Sequence, residues 1–139
     1  MIPKFRVWDK EGNRMILPKY LYSIDLLKER VTERTKCNYT FSLHSIPFDK
    51  VELMQSTGLE DKNNKEIFEG DIVRMRNPRD RRQIGMFQVV RVANSPMLGL
   101  LDKKLTTEIF NLYEHMRNYY EIIGNIYENP ELLEEQEVE

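Results

Sequence analysis

Apolar residues fall in short runs, cut by polar turn formers about every ten residues through much of the chain, which is the pattern of short β-strands. Phe5-Arg6-Val7-Trp8 alternates in period two, Asp9-Lys10-Glu11-Gly12-Asn13 supplies turn chemistry, and Met15-Ile16-Leu17 forms a second apolar run, so a β-hairpin is predicted. Pro18 interrupts it. From Tyr20 to Val31 two periods compete: Leu21, Ile24, Leu27 and Val31 fit a helical stripe, whereas Tyr20, Tyr22, Ile24 and Leu26 fit an alternating strand. Residues 28–40 are polar and mixed in charge and read as a surface connection, and Val51-Glu52-Leu53-Met54 reads as the next strand.

The middle of the chain is the most legible part. Thr57-Gly58-Leu59 leads into Glu60-Asp61-Lys62-Asn63-Asn64-Lys65-Glu66, a polar hairpin tip whose asparagines tolerate left-handed backbone angles, and Ile67-Phe68 and Glu69-Gly70-Asp71 follow. Ile72-Val73-Arg74-Met75 is a strand, an arginine-rich loop containing Pro78 comes next, and residues 85–92 have strong β propensity before a turn at Asn94-Ser95-Pro96. Strands this short, separated by polar turns about every ten residues, predict a small barrel or roll, which removes exposed sheet edges. From Leu105 the period changes. Leu105, Ile109, Leu112 and Met116 recur at helical spacing, with Thr106 or Thr107 as N-cap and Glu108 in the first turn, predicting a helix near residues 106–117. Residues 119–127 return to β chemistry, Asn129-Pro130 breaks the strand, and glutamates at 131, 134, 135, 137 and 139 make an acidic tail that frays after one helical turn.

The expected fold class is mainly β (α+β): short antiparallel strands with one or two short helices. A chain of 139 residues, 40% of them hydrophobic, is long enough to bury its own core without disulfides. It is organised as residues 1–50, an opening hairpin and variable segment; residues 51–130, the barrel or roll; and residues 131–139, the acidic tail. Cys37 is the only cysteine, which excludes an internal disulfide and a multi-thiolate zinc site and points to a reducing compartment. Charge at Lys4 and Arg6 and the absence of an apolar run approaching about 18 residues give no sign of a leader or membrane anchor, so a cytoplasmic location in a bacterial host is expected.

Candidate chemistry is sparse. A metal site needs at least three convergent ligands, and His44 and His115, the only histidines, lack the spacing that pairs ligands on one element. A triad of Cys37, His44 and Asp49 is conceivable, but no local motif orients a nucleophile. The stretch from Asp61 begins like a calcium loop, yet Lys65 stands where a ligand belongs, Glu66 where glycine is required and Ile72 where the bidentate glutamate belongs. No phosphate-binding glycine motif occurs, and no cofactor is expected. Charge is the stronger clue. The net charge of −2 conceals two poles: Arg74, Arg76, Arg79, Arg81, Arg82 and Arg91 against Asp80 give +5, and residues 108–139 hold nine glutamates against Arg117, giving −8.

Three blocks resemble the YopX family of phage and prophage proteins, found mostly in low-GC Gram-positive bacteria. They are residues 4–10 with Met15-Ile16, residues 53–59 through Glu69-Gly70-Asp71-Ile72-Val73, and residues 123–132, beginning Ile123-Gly124-Asn125-Ile126-Tyr127. Residues 18–50 and 76–118 carry little resemblance. The family turn Asp-Lys-Asn-Gly is replaced by Asp61-Lys62-Asn63-Asn64, which still forms a hairpin if Asn64 adopts a left-handed conformation. The resemblance implies a mostly β protein with an SH3-like roll in its second half and no established catalytic activity or cofactor, and it tips residues 20–26 towards strand. The family positions Trp8, Gln55, Gly58, Gly70, Asp71, Gly124 and Asn125 have a structural reading: tight turns, close backbone approach, Asp71 bonding the amides that follow it, and Trp8 plugging one end of a barrel. The alternative is a binding groove shared by Trp8, Gln55 and Asn125.

The function expected on these grounds is a non-catalytic β-barrel interaction or assembly module, in which the arginine-rich loop of one copy engages the glutamate-rich C-terminus of another copy or of a host or phage protein. The alternative is a nucleic-acid-binding accessory protein that grips DNA or RNA phosphates through Arg74, Arg76, Arg79, Arg81 and Arg82, since the guanidinium fork suits phosphate. An enzyme is the third and weakest reading, and no membrane role is expected.

Overall fold

The computed structural model describes residues 3–91, 98–101, 109–112 and 114–134, which are mainly antiparallel β-structure. The chain divides into two compact units, Met1–Gln55 and Ser56–Glu139.

In the first unit, β1 (Phe5–Asp9) and β2 (Arg14–Ile16) form the expected hairpin, with Val7 opposite Ile16. Asp9 builds its turn: Oδ1 accepts the amides of Glu11 at 3.2 Å and Gly12 at 3.1 Å, and Asn13 takes a left-handed φ of 51°. The other edge of β1 pairs with the first half of β6 (Val51–Glu60), Trp8 opposite Glu52. The contested segment is strand: β3 (Leu21–Asp25) turns through residues 26–29 into β4 (Arg30–Cys37). Residues 28–40 are therefore not a plain surface connection. β4 and β5 (Thr40–Pro47) pair residue for residue from Arg30 opposite Pro47 to Cys37 opposite Thr40, around a turn where Asn38 has φ 53°. Both faces of the distal ribbon lie in solvent, so its apolar stripe shrinks to the short alternation of Phe41 and Leu43. Val7, Ile16, Val31, Ile46 and Val51 make the core of this unit.

In the second unit, the rest of β6 pairs with β7 (Glu66–Phe68). β8 (Asp71–Arg76), β9 (Ile84–Arg91), β10 (Leu98–Leu101) and β11 (Ile109–Asn111) follow, and β12 (Tyr120–Asn125) returns to β8, for a sheet order β11-β10-β9-β8-β12. Ile67, Val73, Met75, Phe87, Val89 and Tyr120 form its core. The helix expected over 106–117 is not formed across residues 109–111, which pair with β10, Phe110 opposite Leu100. A 3-10 segment occupies Glu114–Tyr119, and residues 106–108 lie outside the described residues. Leu112 and Met116 both pack on the core, so their helical spacing is used, but the open edge of β10 captures the backbone just before them. A single helical turn, α1 (Glu131–Glu134), precedes the remainder of the acidic tail; residues 135–139 and the turn at 94–96 lie outside the described residues.

The hairpin tip forms around Asp61, which is fully buried. Its Oδ1 accepts the amides of Asn63 at 2.8 Å and Lys65 at 2.9 Å, and Oδ2 accepts the amide of Ile122 at 2.9 Å. Asn64 takes the expected left-handed φ, 64°. Arg117 Nε donates to the Asp61 carbonyl at 3.1 Å, and the Lys62 amide donates to the carbonyl of Tyr120 at 2.9 Å. One carboxylate thus closes a local turn and fastens it to the last strand. Asp61→Ala is expected to cost about 2–4 kcal/mol of stability because three amides lose their acceptor, whereas Asn63→Ala, at an exposed side chain, stays within about 0.5 kcal/mol. Urea unfolding followed by circular dichroism measures both.

Candidate functional site

The β4–β5 register sorts its side chains between two faces. Arg30, Thr32, Arg34 and Lys36 share one with Phe41, Leu43 and Ser45, and Val31, Glu33, Thr35 and Cys37 share the other with Ser42, His44 and Ile46. Val31 and Ile46 anchor the root in the core, but every residue from Arg34 to Leu43 is exposed. Tyr39 at the turn is 100% exposed, Phe41 57% and Leu43 56%. The Arg34 guanidinium lies over the Phe41 ring, 3.7 Å from its centroid, a cation–π contact. β5 is the edge of a sheet ordered β3-β4-β5, and no second strand pairs with it among the described residues. Sequence reasoning passed over this surface. The clue was the period-two run Phe41-Ser42-Leu43-His44 following Asn38, a residue suited to a tight turn.

The arginine cluster is thinner in space than in sequence. Arg74 on β8 pairs with Glu121 of β12 at 3.4 Å. Arg82 pairs with Asp80 at 3.0 Å, and the Asp80 carboxylate also accepts the Arg82 amide, capping the 3-10 turn Arg81–Gln83. These bonds from Arg82 hold the Asp80 carboxyl below its usual pKa. Arg76, Arg79 and Arg81 are exposed and have no carboxylate partner among the described residues.

Several of the family positions are buried or make hydrogen bonds to nearby backbone. Trp8 is 9% exposed and Asn125 8%, so each is largely enclosed within its own unit. Asn125 spends its side chain locally: Oδ1 accepts the amides of Tyr127 and Glu128, and Nδ2 donates to Glu128. Gln55 stands opposite Phe5 on the β1–β6 pair. Asp71 is buried and accepts the amide of Phe68, upstream of it, at 2.7 Å. The amide of Gly58 donates to Ser56 Oγ. Gly70 has φ 89°, donates to the carbonyl of Val89 and accepts from the amide of Ile126, a bridging role that favours a residue free to adopt positive φ. A Cβ on Gly124 would lie 2.5 Å from Asn129 Oδ1, so close approach excludes a side chain there unless Asn129 moves.

Cys37, His44 and Asp49 do not converge. Cys37 stands opposite Thr40 and His44 opposite Glu33, four positions away along the ribbon, or about 13 Å at the rise of a strand. Asp49 lies in the 3-10 turn Phe48–Lys50. Among the described residues no three His, Cys, Asp or Glu side chains are placed to hold a metal ion, and no helix is long and apolar enough to cross a membrane. A cleft of about 540 Å³ beside the root of the ribbon is lined in part by Asp9, Glu11, Arg14, His44 and Lys50. Several of its charges already have partners: Arg14 grips buried Glu33 through both terminal nitrogens, and Lys50 meets Glu11 at 2.8 Å. The Arg14 hydrogen bonds hold the Glu33 carboxyl below its usual value against the opposing effect of burial, and they raise Arg14.

A depressed carboxyl pKa stabilises the fold above the unfolded value of 4.5 and loses that contribution as pH falls through the folded value. The stability difference between wild type and Glu33→Gln is therefore expected to be roughly constant above about pH 6 and to shrink steadily below about pH 4.5. Urea titrations at a series of pH values measure it, and a difference that does not change with acid contradicts the assignment.

Two crystal structures share this fold over nearly their whole length. Protein EF1440 from Enterococcus faecalis is 28% identical, with 96% of this chain and 99% of that one covered at a TM-score of 0.59. Protein yopX from Bacillus subtilis is 20% identical, with 94% and 95% covered at a TM-score of 0.61. No curated protein matches the chain. The family model described as YopX protein matches residues 4–134, spanning all three sequence blocks that carried the resemblance, and the chain belongs to the YopX family.

Proposed function

We propose that the chain is a non-catalytic interaction or assembly module, encoded on a phage or prophage and acting in the bacterial cytoplasm, with the β4–β5 ribbon as its contact surface. The observation that carries this reading is the exposed run from Arg34 to Leu43, which sets Tyr39, Phe41 and Leu43 in water on a two-stranded ribbon. Such a ribbon has little stability of its own, and its apolar side chains forgo about 25 cal/mol for each Å² left unburied. A partner that covers them recovers that free energy. The second unit fits the part of a scaffold. β8 to β11 run as an antiparallel meander, the 3-10 segment Glu114–Tyr119 follows, and β12 pairs with the far edge of β8, an order that supports reading this unit as an SH3-like roll.

A photo-crosslinking residue in place of Tyr39 is expected to trap discrete adducts in expressing cells, and Phe41→Ser with Leu43→Ser is expected to remove them. No adduct above that formed from the same label at exposed Asn63 contradicts the reading.

The unpartnered Arg76, Arg79 and Arg81 favour a second reading, in which the β8–β9 loop binds nucleic-acid phosphates. Three phosphate contacts predict an affinity falling with salt at a log–log slope of about −2 to −3. Arg79→Glu with Arg81→Glu is expected to abolish this binding in fluorescence anisotropy. No retention of DNA or RNA by the wild type at low salt removes this reading.

A further inference from the structure

We propose that the partner of the ribbon is a second copy of this chain, added edge to edge along β5 about a two-fold axis at Ser42. The inference rests on the ribbon being the contact surface and names what covers it. Alternate amides and carbonyls along the outer side of β5 point away from β4 and meet no strand among the described residues. Natural edges are normally guarded by charge, proline or a bulge. From Thr40 to Ile46 this edge has no Lys, Arg, Asp, Glu or Pro, and it pairs with β4 without a register shift. It is built to accept another strand.

Three features select a second copy as that strand. Phe41 and Leu43 lie on the same face, two residues apart, so antiparallel pairing centred on Ser42 sets Phe41 of each copy against Leu43 of the other. That arrangement is self-complementary, as a two-fold interface requires. Moving the centre to Leu43 sets Leu43 against itself but Phe41 against Ser45, so neither Phe41 gains an apolar partner. The uncharged β5 lets two identical edges meet without opposing like charges. The cations Arg34 and Lys36 stand one strand back, with Arg34 lying over Phe41. An acidic segment on the β5 edge has no cation on that strand to meet. The product is a six-stranded sheet, β3-β4-β5 continued by its symmetry mate, formed by strand addition. A single strand pair is a small interface, so dimerisation depends on concentration.

Ser42 is the one β5 position that meets itself across such an axis, at a separation a disulfide can span. In a Cys37→Ser background, Ser42→Cys is expected to form a crosslinked dimer readily with oxidised glutathione. Thr40→Cys, whose copies lie about 13 Å apart in this register, is expected not to. Light scattering of the wild type is expected to rise with concentration from 16.7 kDa towards twice that mass, while Phe41→Lys with Leu43→Lys stays at one copy. A single-copy mass at every concentration, or Thr40→Cys crosslinking as fast as Ser42→Cys, overturns the proposal. If the Tyr39 label then traps a different protein or a nucleic acid, the ribbon keeps its role as a contact surface and only the self-pairing falls; if it traps nothing, the ribbon reading falls as well.

Discussion

A carboxylate shut away from water must be surrounded by donors, and Asp61 collects its donors from two distant parts of the chain. Asn63 and Lys65 belong to its own turn, and Ile122 lies on the last strand. The same bonds that shape the tip between β6 and β7 therefore set where β12 begins to pair with β8. Satisfying turn amides with a side-chain oxygen recurs through the molecule. Asp9 accepts two amides between β1 and β2, Asp25 two between β3 and β4, and Asn125 two after β12. Short strands need many reversals, and each reversal leaves amides without a ladder partner, so the acidic and amide residues at these positions follow from the architecture.

The ribbon obeys the opposite logic. Its root is well held, by Val31 and Ile46 in the core and by the Arg14–Glu33 pair, while beyond Glu33 the backbone pairing of two strands holds the chain in place. Exposure of the tip leaves Phe41 and Leu43 in water on the edge strand of a three-stranded sheet.

Charge changes its meaning once residues are placed. The segment holding six arginines and one aspartate looks like a single basic patch, but Glu121 takes Arg74 and Asp80 takes Arg82. Of the other four, Arg76, Arg79 and Arg81 face solvent close together along the β8–β9 connection, and the side chain of Arg91 lies outside the described residues. Glu121 is also within 3.4 Å of Lys62, so one residue from the glutamate-rich half helps to neutralise two separate cations.

Much of the fold was legible because its signals are local. Period-two alternation at Phe5 to Trp8 identifies a strand, Asp9 to Asn13 a turn, and Asn64 a position able to take a left-handed angle, since each depends on residues within one reversal of the chain. Where the sequence misled, the deciding partner was remote or absent. Residues 109–111 carry part of a helical stripe yet form a strand because β10 offers an open edge, and residues 30–47 show little stripe because the distal hairpin buries neither face. Likewise, composition placed the arginines together, but only the antiparallel approach of β12 to β8 brought Glu121 to Arg74. By itself the sequence determined the predominance of strands, the turns and the family. Tertiary structure decided which strands pair, which charges cancel and which apolar residues face water, because these depend on backbone and charge partners that local periodicity does not specify.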